Sequence, residues 1–126
     1  MSRPLVLLGA IDGHAATVIA HLLEALESRA LPHDAVATFT PGPDDGPVRL
    51  VVVQSRTEKT AEIVRVCQAI RANPALADAR LLVALDPDLA GQYSAIRAAG
   101  ADECLMVPAS AGHVEKLLQK LLPAED

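Results

Sequence analysis

Aromatic side chains are almost missing from this sequence: among its 126 residues there is no tryptophan, one tyrosine (Tyr93) and one phenylalanine (Phe39). Single-stranded nucleic acids and sugars are held by stacking on such rings, so both are poor candidates as direct ligands. Clustered positive charge is missing too. The 11 lysines and arginines are scattered and the formal net charge is −5, which leaves no basic stripe for a nucleic-acid backbone. No apolar run approaches the ~18 residues of a membrane span. The opening Met-Ser-Arg-Pro and the run Leu5 to Leu8 are too short for a signal peptide. The expectation is a soluble, cytoplasmic protein with neither a membrane nor a nucleic-acid partner. Cysteine is limited to Cys67 and Cys104, each inside an apolar pattern, and this suits packed thiols in a reducing compartment better than a disulfide or a metal site.

What is present is apolar content, at 51% of residues. In a chain this short it supplies one continuous core, so residues 1–126 are expected to form a single domain. Short apolar runs alternate with amphipathic segments, the pattern of a sheet covered by helices on both faces. Leu5 to Ala10, Leu50 to Val53, Leu81 to Leu85 and Cys104 to Val107 lack polar alternation, as strands buried on both faces do. Asp34 to Thr40 is a weaker candidate for a further strand, β-branched and aromatic in part. Helical spacing links Val18, Ile19, Leu22, Leu23 and Leu26, then Ile63, Cys67 and Ile70, then Leu89, Tyr93 and Ile96, then Val114, Leu117, Leu118 and Leu121. Ser110 is placed to cap the last of these helices and Pro123 to end it. The fold class expected is α/β, a flavodoxin-like three-layer sandwich with a mainly parallel five-stranded sheet. Pro41 to Pro47 holds three prolines and two glycines in seven residues, which forbids a helix there. The second helix is therefore expected to give way to a loop, and the second strand either reaches the third through that loop or pairs with it as a hairpin.

From Gln68 to Lys120 the sequence resembles a bacterial response-regulator receiver domain. The stretches that carry the likeness are Gln68-Ala-Ile-Arg-Ala-Asn-Pro-Ala-Leu76, Arg80-Leu-Leu-Val-Ala-Leu85 and Ala98-Ala-Gly-Ala-Asp-Glu-Cys-Leu-Met-Val-Pro108, in the order and at the separations of that family's third helix, fourth strand and fifth strand. The resemblance implies a chemistry whose positions are found by counting. The phospho-accepting aspartate of the family falls on Ser55, fifteen residues before Ile70, or on Gln54 if the loop slips by one. The acidic pair that holds Mg²⁺ falls on Ala10 and Ile11, the hydroxyl position near Leu85 and the lysine on Val107, while Cys104 stands where an aromatic switch residue is common. Carboxylates, metal and lysine neutralise the charge that develops in phosphoryl transfer. Every one of them is replaced here, mostly by apolar groups among which a divalent ion would be desolvated at great cost.

The likeness therefore implies a degenerate, phosphorylation-independent receiver (a pseudo-receiver): no enzyme, without metal or cofactor, acting by protein–protein interaction in two-component-type signal transduction or regulation. Receivers dock partners on the fourth helix, fifth strand and fifth helix. On that face His113, Lys116 and Lys120 recur at helical spacing while Asp102 and Glu103 open the strand, so the face is expected to carry both signs and to bind a protein partner or its own copy about a two-fold axis. A Mg²⁺ site rebuilt from Asp12, Asp86, Asp88 and Ser55 is a minor alternative. The loop Leu7 to Ala20 also resembles that of cobalamin-binding domains, whose Asp-x-His-x-x-Gly would place His14 as the cobalt ligand and Asp12 as the carboxylate that orients it. That motif's glycine is Thr17 here, and the glycine pair that admits the nucleotide tail is replaced by Leu85-Asp86-Pro87. Small-molecule binding of the cobalamin type is the second functional expectation.

Overall fold

The computed structural model describes residues 5–9, 27–31, 35–36, 38–43, 46–54, 60–85, 91–106 and 110–121. Five strands are present: β1 (Leu5–Gly9), β2 (Glu27–Leu31), β3 (Val48–Gln54), β4 (Arg80–Leu85) and β5 (Glu103–Met106). They form one sheet in the order β2-β1-β3-β4-β5, and all four pairings are parallel. Helices α1 (Thr60–Ala72), α2 (Tyr93–Ala98) and α3 (Ala111–Leu121) lie among the described residues. The expected first helix, through Val18 to Leu26, lies outside them.

The expected strand over Asp34 to Thr40 is not formed. The second strand is Glu27-Ser-Arg-Ala-Leu31, pairing in parallel with β1, whereas Ala35 and Val36 are helical and Thr38 is in a turn. β2 has the sheet's outer position, where one neighbour suffices and polar residues are tolerated, so its apolar signal is faint. The residues that imitated a strand are core contacts from a different element: Val36 is fully buried and Phe39 packs partly buried against the same cluster. The hairpin alternative is excluded because β1 lies between β2 and β3 and pairs in parallel with both. Between Pro41 and Pro47 the described residues are without helix, as the prolines require.

Alternation along the central strands sorts the core into two layers. Leu5, Leu7, Val51, Val53, Leu81, Val83 and Leu85 meet Ile63, Cys67 and Ile70 of α1 and Ile96 of α2. Val6, Leu8, Leu50, Val52, Leu82 and Ala84 point the other way, to Val114, Leu118 and Leu121 of α3. This is the three-layer sandwich. Ser110 caps α3, its Oγ accepting from the His113 amide at 3.2 Å.

The N-terminal ends of β4 and β5 are tied to α1 by Arg71. Its Nε donates to the Gly100 carbonyl at 2.9 Å, and one terminal nitrogen donates to the Ala79 carbonyl at 2.6 Å. The other terminal nitrogen pairs with Asp102 Oδ2 at 2.6 Å, and the same oxygen accepts the Leu81 amide at 2.8 Å. Gly100 has φ of +123°, and a Cβ there would stand 2.6 Å from Arg71 Cγ. Backbone handedness and space both demand glycine. Gly100→Ala is expected to lower stability by about 2 kcal/mol through strain and displacement of Arg71. Asp102→Ala should cost about 2–4 kcal/mol by stranding the half-buried guanidinium and the Leu81 amide. Urea unfolding measures both, and parent-like midpoints would show that this junction holds nothing.

Candidate functional site

The strands end together at one edge of the sheet. Gly9 is paired with Val53, Gln54 with Ala84 and Leu85 with Met106, so the ends of β1, β3, β4 and β5 are brought to one edge by register. Leu85 is the last residue of β4 and is fully buried. Ala10, Ile11, Ser55 and Val107 follow β1, β3 and β5 in sequence and lie outside the described residues, as do Asp12, His14, Asp86 and Asp88. The described floor of this edge is apolar. Val53 and Leu85 have no exposure, and a Cβ on Gly9 would stand 2.7 Å from Val36 Cγ2 and 2.9 Å from Val53 Cγ1. Glycine at position 9 is what lets Val36 close down on the end of β1.

A second cluster joins α2, β5 and α3. Glu103 opens β5 and is only 6% exposed, the one charged side chain among the buried described residues. Lys120 Nζ of α3 donates to its Oε2 at 2.8 Å, and the Tyr93 hydroxyl of α2 donates to its Oε1 at 2.7 Å. The Cys104 amide approaches the same Oε1 at 3.4 Å. Arg97 in turn donates to the Tyr93 oxygen at 3.1 Å, with its guanidinium 5.6 Å from the ring centroid. The Lys120 ammonium, followed by the Tyr93 hydroxyl, stabilises the carboxylate and lowers the Glu103 pKa to about 2.

Of the residues expected on the interaction face, Glu103 and Lys120 are therefore bound to each other, and His113 and Lys116 are exposed on the same side of α3. Asp102 belongs elsewhere: it precedes β5, whereas Met106 reaches the Leu85 edge, and its carboxylate is held by Arg71 and more distantly by Arg80 at 3.7 Å. Tyr93 and Arg97 were not anticipated as site residues. Their four-residue spacing on a helix was the available signal. Arg71 offered none, because Gly100 and Asp102 stand 29 and 31 residues away and its nearer partner is the Ala79 backbone carbonyl. Cys67 and Cys104 are free, buried thiols whose pKa values rise to about 11 through desolvation, so neither is a ready nucleophile. No helix among the described residues is long and apolar enough to cross a membrane.

No family model and no curated protein matches the sequence. Solved structures do match its shape. A response regulator from Thermotoga maritima is 17% identical, with a TM-score of 0.71 over 98% of this chain and 100% of that one. A signal receiver domain of a histidine kinase from Clostridium thermocellum is 12% identical, with a TM-score of 0.74 over 98% and 100%. The pilus assembly protein CpaE from Caulobacter crescentus is 14% identical, with a TM-score of 0.70 over 96% and 95%. What is common at such identities is architecture, and along nearly its whole length this chain has the fold of a response-regulator receiver domain.

Proposed function

We propose that this chain is a receiver-like module of bacterial two-component-type signal transduction or regulation that works without phosphorylation, through protein–protein contact, in the cytoplasm. It carries no catalytic residue and needs no cofactor. The observation that supports this reading is the apolar closure of the strand edge: Leu85 and Val53 have no exposure, and Val36 sits where any side chain at position 9 would stand. Phosphoryl transfer there would require an ionised acceptor and a hydrated divalent ion, whereas Ser55, Ala10, Ile11 and Val107 supply neither acid nor base. The neighbour from Caulobacter crescentus, a pilus assembly protein, is consistent with the fold serving outside response regulators.

Without phosphorylation chemistry the remaining asset is surface, and the face built from α2, β5 and α3 is joined from beneath by one buried carboxylate. Glu103 clamps both helices to the strand between them. Partner docking is assigned to this face, with Lys116, Lys120 and His113 at its exposed side.

Three outcomes are expected. Acetyl phosphate, or beryllium fluoride with Mg²⁺, leaves the amide spectrum unchanged; shifts around residue 55 on adding either would overturn phosphorylation independence. Leu85→Asp loses several kcal/mol, on the order of 3, because it buries a carboxylate with no partner. A parent-like melting temperature for that variant would mean the edge is wet. For Glu103, a folded pKa below the usual 4.5 means its stabilisation is present above about pH 4.5 and is lost as pH falls towards 2. Glu103→Gln should therefore melt earlier than the parent at neutral pH and lose less on acidification, as thermal melts from pH 7 to pH 2.5 would record.

A further inference from the structure

The sequence pattern places both signs of charge on the α2-β5-α3 face, which would suit two copies meeting about a two-fold axis. The structure removes the negative half. Asp102 is turned to Arg71, Arg80 and the Leu81 amide at the N-terminal end of the sheet. Glu103 is buried beneath Lys120 and Tyr93. What remains at the surface among the described residues is Arg97 from α2 and Lys116 from α3, with His113 one turn before Lys116, beside Lys120, whose ammonium is shared with Glu103. Lys120 and Arg97 are linked by successive contacts through Glu103 and Tyr93, so the two helices present their cations side by side. Lys116 and His113 make no side-chain hydrogen bond or ion pair with a described residue. The nearest exposed acid on α3, Glu115, lies on an adjoining stripe of the helix and is bonded by Gln119 at 3.4 Å.

We infer that this face docks an acidic segment of a partner protein. The inference rests on the interaction reading above and adds the chemistry of the partner. Two identical faces brought together on a two-fold axis would gather two copies each of Arg97 and Lys116 into one interface, with Asp102 and Glu103 already engaged inside each fold. An acidic chain meets the opposite situation. The cations of this face stand in a molecule whose net charge is −5, so an acidic segment is repelled by the whole and drawn to them. The Arg97 guanidinium is braced over the Tyr93 ring, with one nitrogen on the Tyr93 hydroxyl, which leaves a planar fork oriented for carboxylates. Lys120 stays 68% exposed despite its bond to Glu103 and can share its ammonium with a second carboxylate.

The test uses two labelled helical peptides, identical except that one carries glutamates and the other lysines at positions three and four residues apart. The glutamate peptide is expected to shift amides confined to α2, β5 and α3, to bind at least about tenfold more tightly than the lysine peptide, and to be released near 1 M salt, where the screening length is ~3 Å. Lys116→Glu should weaken it by about tenfold with an unchanged melting temperature, since Lys116 supports nothing inside the fold. Lys120→Glu would set a carboxylate on Glu103 and unsettle the fold, so it is not the diagnostic change. Equal binding of both peptides, shifts elsewhere, or a doubled mass in light scattering that Lys116→Glu abolishes would each overturn the acidic partner. Failure of the glutamate peptide while beryllium fluoride stays silent overturns this inference alone; a beryllium fluoride response overturns the reading beneath it as well.

Discussion

The contact on which the arrangement of the second half depends is the hold of Arg71 on the turn before β5. One guanidinium ties the last turn of α1 to the Ala79 carbonyl at the head of β4, to the Gly100 carbonyl and to Asp102. Asp102 passes the link on to the Leu81 amide, while its own amide donates to the Leu81 carbonyl at 2.8 Å. Helix, two strands and a turn are thereby fixed at one point, by charge-assisted bonds that are partly shielded from water. Buried leucines and valines supply most of the stabilisation, at about 1.5–3 kcal/mol for each large side chain, but they are non-directional and would tolerate a slipped strand. The Arg71 junction is directional. It fixes which residue of β5 stands opposite which residue of β4, and hence where Glu103 emerges.

From that register the two ends of the sheet acquire different characters. At the N-terminal end polar groups are dense and mutually satisfied. At the C-terminal end Gly9, Val53 and Leu85 form an apolar floor that Val36 closes. The side of β5 that faces α3 carries the only buried charge described, and that charge holds Lys120 and Tyr93 in place. With the Lys120 ammonium largely in water the pair itself adds little net stability, but removing Lys120 would leave a buried carboxylate without its counter-charge. Its effect is geometric: α2 and α3 keep one spacing, and the cations above them keep one pattern.

Much of this was legible beforehand. Unbroken apolar runs marked β1, β3, β4 and β5, and helical spacing marked α1, α2 and α3, because burial on both faces or on one stripe leaves a periodic trace. β2 left none, being an edge strand that reads Glu-Ser-Arg-Ala-Leu, and the apolar Val36 and Phe39 drew the strand to the wrong place. The Ala98 to Pro108 stretch carries the family likeness, but its aspartate reads as a surface charge. Nothing local distinguishes an exposed Asp102 from one gripped by an arginine 31 residues earlier.

The sequence by itself determined composition and layering: these follow from which side chains stand at which positions, and short-range periodicity suffices to state them. Only the tertiary structure decided which charges of α2, β5 and α3 still face water. Asp102, Glu103, Lys116 and Lys120 look alike in the sequence as solvated charges. Which of them still faces water depends on contacts between elements 17 and 31 residues apart, where Lys120 covers Glu103 and Arg71 takes Asp102. Charge is a property of residues, but the field a partner meets is set by which charges have already been neutralised inside the fold.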